Sequence, residues 1–200
     1  DNNIYDNYEY GISLNQVSNS SIFNNLIYNI SDGASWVSKG IYSDASFNLT
    51  FFNNFINSSS DGFYGSGNYI NFSNNQIWNM NTTGAKLNNI NNSILEYNIM
   101  TNMRPASTSI RISNPINLSF RFNNLTNVSR LLSIGETLEN QILLESNNFN
   151  SYYLYTYNIN LGSVSILADN NYWNGSTCEQ IMSMVDHDDD SKFFLTNVLN

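Results

Sequence analysis

An asparagine returns along this chain at Asn3, Asn25, Asn54, Asn75, Asn98, Asn123, Asn147 and Asn170, at intervals of 22, 29, 21, 23, 25, 24 and 23 residues. Its surroundings return with it. Three residues before each later anchor stand Ile22, Phe51, Phe72, Leu95, Phe120, Leu144 and Leu167; two residues after each anchor stand Tyr5, Ile27, Ile56, Ile77, Met100, Leu125, Phe149 and Tyr172. All are apolar or aromatic. Four residues after the anchor the chain places Asn7, Asn29, Asn79, Asn102, Asn127 and Asn174, with Ser58 and Ser151 in the other two copies. A repeat of this length is one supersecondary unit that cannot bury its apolar face alone, so the copies must stack.

Within a copy the apolar positions alternate with polar ones, as in Ile70-Asn71-Phe72-Ser73-Asn74-Asn75-Gln76-Ile77. That is the period of a half-buried strand, and the i, i+3, i+4, i+7 spacing of a helix is missing. Three short strands and three turns fit one copy, and stacking pairs each strand in parallel with its equivalents above and below. Equivalent side chains then lie about 4.8 Å apart, close enough for carboxamides to bond from rung to rung in a ladder. Asparagine also tolerates the left-handed backbone of tight turns. Gly11, Gly33 and Gly62, with Gly84 one place later, mark a second corner, and the Gly-Ile pairs at 11–12 and 40–41 open the next strand.

Asparagine makes up roughly a fifth of the chain, far above ordinary usage. Aromatic residues are plentiful at 14%, which separates this composition from that of disordered polar chains. A net charge of −9, with only seven Lys and Arg, argues against nucleic acid as a partner and against docking on anionic lipid. No apolar run approaches the ~20 residues that span a bilayer. The single cysteine, Cys178, excludes an internal disulfide framework. Residue 1 falls inside a repeat, so a longer parent chain is expected.

Asn24-Asn25-Leu26-Ile27-Tyr28-Asn29, and Asn2-Asn3-Ile4-Tyr5-Asp6-Asn7 followed by Gly11-Ile12, resemble the right-handed parallel β-helix repeat of secreted and surface proteins. The ending, Asp169-Asn170-Asn171-Tyr172-Trp173-Asn174-Gly175, then a short helix and Asp186 and Asp189-Asp190, is similar to the terminal segment of adhesin-like β-helices of archaea and bacteria. Those often read Asn-Tyr-Trp-Gly, so Asn174 is a small departure. The resemblance implies an all-β, single-stranded, right-handed parallel β-helix of about eight rungs over 1–175, closed by a cap of a short helix and a final strand over 176–200 in the same domain. Ser176-Thr177-Cys178-Glu179 has the spacing of a capping box, and Ile181, Met184 and Val185 give the helix one apolar stripe to lay over the last rung.

The same fold serves adhesins, lyases and epimerases, so function has to be sought where the repeat is broken. The 29-residue interval carries its surplus near Trp36, in a loop, and insertions in solenoids often emerge on the binding face. Trp36 and Tyr42, with Phe63 and Tyr64 one rung on, are candidates for an aromatic platform for a sugar; the competing reading makes Phe63 or Tyr64 core. All four arginines fall between Arg104 and Arg130. Arg104 and Arg130 fall at nearly equivalent places on neighbouring rungs and are candidates to hold an acidic sugar or sulfate, unless Glu96, Glu136 or Glu139 neutralises that stretch. Tyr153, Tyr155 and Tyr157 form a further aromatic run that is either a contact stripe or rung filling.

Catalysis is the alternative. Glycoside hydrolysis needs two facing carboxylates, and Asp32 and Asp61, each seven residues past its anchor and before a glycine, are the pair to compare; Asp-Gly turn chemistry explains them equally. Uronate lyase or epimerase chemistry would need a base that the arginine stretch lacks. His187 among Asp186, Asp188, Asp189 and Asp190 reads as a solvated connection or as a calcium site, although it lacks the glycine of a calcium loop. No catalytic residue, metal ligand or cofactor is assigned. The expected role is a noncatalytic, extracellular or cell-surface segment that presents a rigid surface to a glycan or a cell-surface protein, with a polysaccharide-active enzyme as the alternative.

Overall fold

The computed structural model describes residues 1–31, 38–104, 107–128, 130–135, 141–151, 165–184 and 192–196. They form an all-β parallel solenoid. The first turn holds β1 (Asn3–Tyr5), β2 (Tyr10–Asn15) and β3 (Ser18–Phe23). The second holds β4 (Leu26–Tyr28) and β5 (Lys39–Phe52), the third β6 (Phe55–Asn57) and β7 (Asp61–Ser73), the fourth β8 (Gln76–Trp78) and β9 (Thr83–Glu96). The fifth runs through β10 (Ile99–Thr101), β11 (Thr108–Ser113) and β12 (Ile116–Arg121). The sixth has β13 (Asn124–Val128), β14 (Arg130–Gly135) and β15 (Gln141–Glu145). Then come β16 (Asn148–Ser151), β17 (Ser165–Asp169), the helix α1 (Cys178–Met184) and β18 (Lys192–Thr196).

The short strands stack as a seven-stranded sheet, so about six turns separate β1 from β16. A further level follows, in which Tyr172 bridges Asn148 and β18 pairs with β17. Where three separate strands per turn were expected, the second to fourth turns fuse two of them into one bent strand of 13 or 14 residues.

The core is a column of side chains from every turn, including Ile27, Ile56, Ile77, Met100, Leu125 and Phe149 from the short sheet and Phe51, Phe72, Leu95 and Phe120 from the long one. Beside it runs the asparagine ladder. The backbone N and Nδ2 of Asn25 donate to Oδ1 of Asn54, and the same pair of bonds links Asn54 to Asn75, Asn75 to Asn98, Asn98 to Asn123, Asn123 to Asn147 and Asn147 to Asn171. The remaining Nδ2 valence reaches a backbone carbonyl, as from Asn98 to Phe72 and from Asn147 to Phe120. The amides are therefore satisfied inside the wall, where an unpaired donor would cost about 1–3 kcal/mol.

Two anchors shift by one residue from the sequence reading. Asn2, not Asn3, donates to Asn25, and Asn171, not Asn170, ends the ladder among the described residues. The inward neighbours shift with them: Ala168 and Trp173 are buried where Leu167 and Tyr172 were expected, and Tyr5 is exposed. From Asn25 onward the residue before each ladder asparagine is left-handed, with Asn24, Asn53, Asn74 and Asn170 at φ near +55°. Tyr97 and Phe122 occupy the same column at φ 56° and 55°. For an L-residue with a bulky side chain that conformation costs roughly 1–2 kcal/mol.

Gly11, Gly40, Gly62 and Gly84 form a column because there is no room for a Cβ: one added at Gly62 would lie 2.5 Å from Cγ2 of Ile77 and 2.6 Å from the carbonyl of Gly84. The helix is capped as expected in kind but one residue later, with Nα of Thr177 donating to Oε1 of Gln180 and the Gln180 N–H donating to Oγ1 of Thr177. Ile181 reaches the core. No described helix is long and apolar enough to cross a membrane.

Candidate functional site

On the long strands, alternation points Ile41 and Ser43 inward and leaves Tyr42 and Asp44 on the outer face. Parallel register repeats the choice on each turn, so Ser13, Tyr42, Tyr64, Lys86, Arg111 and Ser133 stand in one outward column. Tyr10, Tyr42 and Tyr64 pack their rings in succession with 5.0 Å between centroids. Nζ of Lys39 lies over all three, 5.4 Å from Tyr10, 5.8 Å from Tyr42 and 5.7 Å from Tyr64, and Nζ of Lys86 lies 5.7 Å from Tyr64. These are cation–π distances, which fix the ammonium groups against the rings.

Polar partners hold the phenols in place. Nδ2 of Asn88 donates to the Tyr64 hydroxyl at 2.9 Å, and Oγ of Ser66 donates to Oδ1 of Asp44. Burial raises the Tyr42 phenol above its ordinary value, and the negative charge of the Asp44 carboxylate, which also accepts its hydrogen bond, pushes it further, with Tyr64 and Tyr10 adding to the effect. Tyr42 is therefore a hydrogen-bond donor at neutral pH and a poor base. Lys86 and Arg111 are adjacent in the column, and among the described residues neither is ion-paired. Like charges at adjacent positions on one face repel unless an anion lies between them.

A concavity of about 760 Å³ opens elsewhere, at the corner after the short strands, lined by Asp6, Tyr8, Asn29, Ser58, Asn79 and Arg104 among others. Arg104 is its cation and is exposed.

The expected site residues separate. Tyr42 and Tyr64 do meet on the outer column. Phe63 does not belong with them: it is fully buried, its ring 4.4 Å from Phe72 and 5.0 Å from Phe51, because it is the inward member of the alternation. Arg104 and Arg130 are not stacked. Arg104 lies in the turn after β10, whereas Arg130 opens β14 opposite Thr108, because six residues run from Asn102 to Thr108 and three from Asn127 to Arg130. Of the expected acidic neighbours, Glu96 pairs with Arg121 at 2.9 Å.

Asp61 is buried, accepts a hydrogen bond from Thr82 and stands in register with Lys39. Trp36, Asp32, Gly33, Glu136, Glu139, the tyrosines from 152 to 157 and the acidic run at 186–190 lie outside the described residues. Among the described residues no cluster of His, Cys, Asp and Glu is suited to a metal.

Tyr10, Lys39, Lys86 and Asn88 were not singled out from sequence, and Arg111 and Asp44 stood out only as one of four clustered arginines and one of several carboxylates. Counting from the asparagine anchor hides them because rung lengths vary. Counting two residues on from Gly40, Gly62 and Gly84 reaches Tyr42, Tyr64 and Lys86 directly.

No protein family matches the sequence, and no curated protein matches it either. Among solved structures the fold is similar to that of the periplasmic alginate epimerase AlgG, with a TM-score of 0.66 and 15% identity. That similarity covers 96% of this chain and 48% of AlgG, so the chain spans about half the length of its structural neighbour. At this identity the likeness establishes a parallel β-helix and leaves the chemistry of the outer column to be argued from its own residues.

Proposed function

We propose that the chain is a noncatalytic segment of an adhesin-like cell-surface or secreted protein, and that the Tyr10–Tyr42–Tyr64 ring row together with Lys86 and Arg111 binds an acidic polysaccharide along the solenoid. The observation that carries this reading is the adjacency of Lys86 and Arg111, unpaired among the described residues, at the end of the Tyr10–Tyr42–Tyr64 row. Carboxylates or sulfates on a glycan would relieve the repulsion, while phenol hydroxyls and ring edges meet its sugar rings. Repetition of such contacts from rung to rung makes binding multivalent without any chemical step.

Affinity electrophoresis and calorimetry with alginate, pectate and a sulfated glycan test this. Lys86→Ser should weaken binding about tenfold, or about 1.4 kcal/mol, and added salt should weaken it further. Absence of binding to every polyanion, or full binding by Lys86→Ser with Arg111→Ser, would remove the reading.

The second reading is a uronate-acting enzyme, favoured by the fold shared with an alginate epimerase. The raised Tyr42 phenol and the buried, hydrogen-bonded Asp61 argue for the binding role. Appearance of unsaturated ends or epimerised residues after incubation with alginate or pectate would decide for the enzyme.

A further inference from the structure

Three aromatic residues hold left-handed backbone conformations in the described chain: Tyr69, Tyr97 and Phe122. In the column before the ladder, the rungs on either side of Tyr97 and Phe122 carry Asn74 and Ser146, and earlier rungs carry Asn24 and Asn53. Among residues with a side chain, asparagine is one of the few this conformation tolerates well. Exchanging it for large aromatics on two successive turns is unfavourable for the backbone, and both rings remain half exposed, Tyr97 at 51% and Phe122 at 41%. A strained, exposed aromatic pair in an otherwise polar column points to a use outside the fold.

The pair is ordered. Its rings are 5.0 Å apart with 8° between their planes, and the flanking Asn74 and Ser146 are too small to cover a ring. Beside it in register run Glu96, Arg121, Glu145 and Asp169. Glu96 and Arg121 are paired at 2.9 Å, so Glu145 next to them leaves this part of the rim with net negative charge, which would repel a polyanion. Half of two aromatic side chains amounts to roughly 200 Å². That matches one or two sugar rings and falls well short of the ~800 Å² per partner of a stable protein interface.

We propose that Tyr97 and Phe122 form a second carbohydrate contact that stacks on a neutral oligosaccharide, separate from the cationic column. Pyranose C–H faces pack on the ring pair, and the rim carboxylates and amides accept from sugar hydroxyls. The pair lies on a different corner of the solenoid from Lys86 and Arg111, so the two contacts stand or fall separately.

Calorimetric titration with cellohexaose, mannohexaose and maltohexaose tests the proposal on the whole chain. At least one should bind with a sub-millimolar Kd, and Tyr97→Asn with Phe122→Asn should weaken it tenfold or more while leaving polyanion binding unchanged. Because asparagine suits the backbone there, this double variant should melt no lower than the natural chain, and Tyr97→Phe should keep most of the affinity. No binding of any of the three, or equal binding by the double variant, would overturn the proposal. So would self-association in sedimentation that the double variant abolishes without any saccharide binding, since the pair would then be a protein contact.

Discussion

Oδ1 of Asn98 accepts twice from Asn75, from its backbone N at 2.9 Å and from its Nδ2 at 3.2 Å. Asn75 in turn receives the same two bonds from Asn54 and donates to the carbonyls of Phe51 and Ser73. Asn75→Ala therefore leaves the N–H and Nδ2 of Asn54 without their acceptor inside the wall. The expected loss is about 3 kcal/mol or more, read from urea denaturation. A loss below about 1 kcal/mol would mean that water or neighbouring carbonyls replace the ladder.

Two glycines offer a test of where backbone space matters. A Cβ at Gly67 would meet the carbonyl oxygen of Ser46 at 1.9 Å, and its φ is +129°; at Gly175, φ +71°, nothing lies within 4 Å. Gly67→Ala should cost several kcal/mol, and Gly175→Ala only about 1 kcal/mol for its left-handed backbone. Reversal of that order in thermal melts would contradict the close approach of β5 and β7.

Phe63 and Tyr64 are neighbours in sequence with opposite roles. Phe63→Ala opens a cavity in the Phe51–Phe72 cluster and should destabilise by about 3–5 kcal/mol, with affinity for polyanions unchanged in the folded fraction. Tyr64→Ala should do the reverse, with a small change in melting and a clear loss of binding. Denaturation and affinity electrophoresis on the same two proteins separate the effects.

The Tyr42 phenol gives the fold an alkaline limit. Its pKa is raised on folding, so between the unfolded value of 10.0 and the folded one the native state holds the extra proton. Stability from this group is complete below pH 10.0 and is lost as pH climbs through the folded value. Tyr42→Phe should flatten the decline in melting temperature above that pH. An unchanged slope would show that Asp44 and burial do not act on this phenol.

The scaffold was legible from sequence because its cause repeats. A carboxamide that must bond above and below, with an apolar residue two places on, leaves a period that survives variable loops. The doubled asparagines at 2–3 and 170–171 blurred the phase, and only the inward partners Ile4 and Trp173 resolve it. The outer column was not legible from the same count. Extra residues enter between the short and the long strands, so Asp61 aligns with Lys39, and Lys86 aligns with Arg111 from rungs that carry no common motif. Nothing in composition distinguishes Phe63 inside from Tyr64 outside; the glycine column does, by fixing the start of each long strand.

Every bond in the inner ladder runs one way, from the amide of one turn to the oxygen of the next. The rod therefore has a direction. Cutting it before a given turn leaves a bare carboxamide oxygen, whereas cutting it after that turn leaves bare N–H donors. The two ends are thus chemically unlike, one an accepting face and the other a donating one, and the closing helix with Ile181 stands at the donating end.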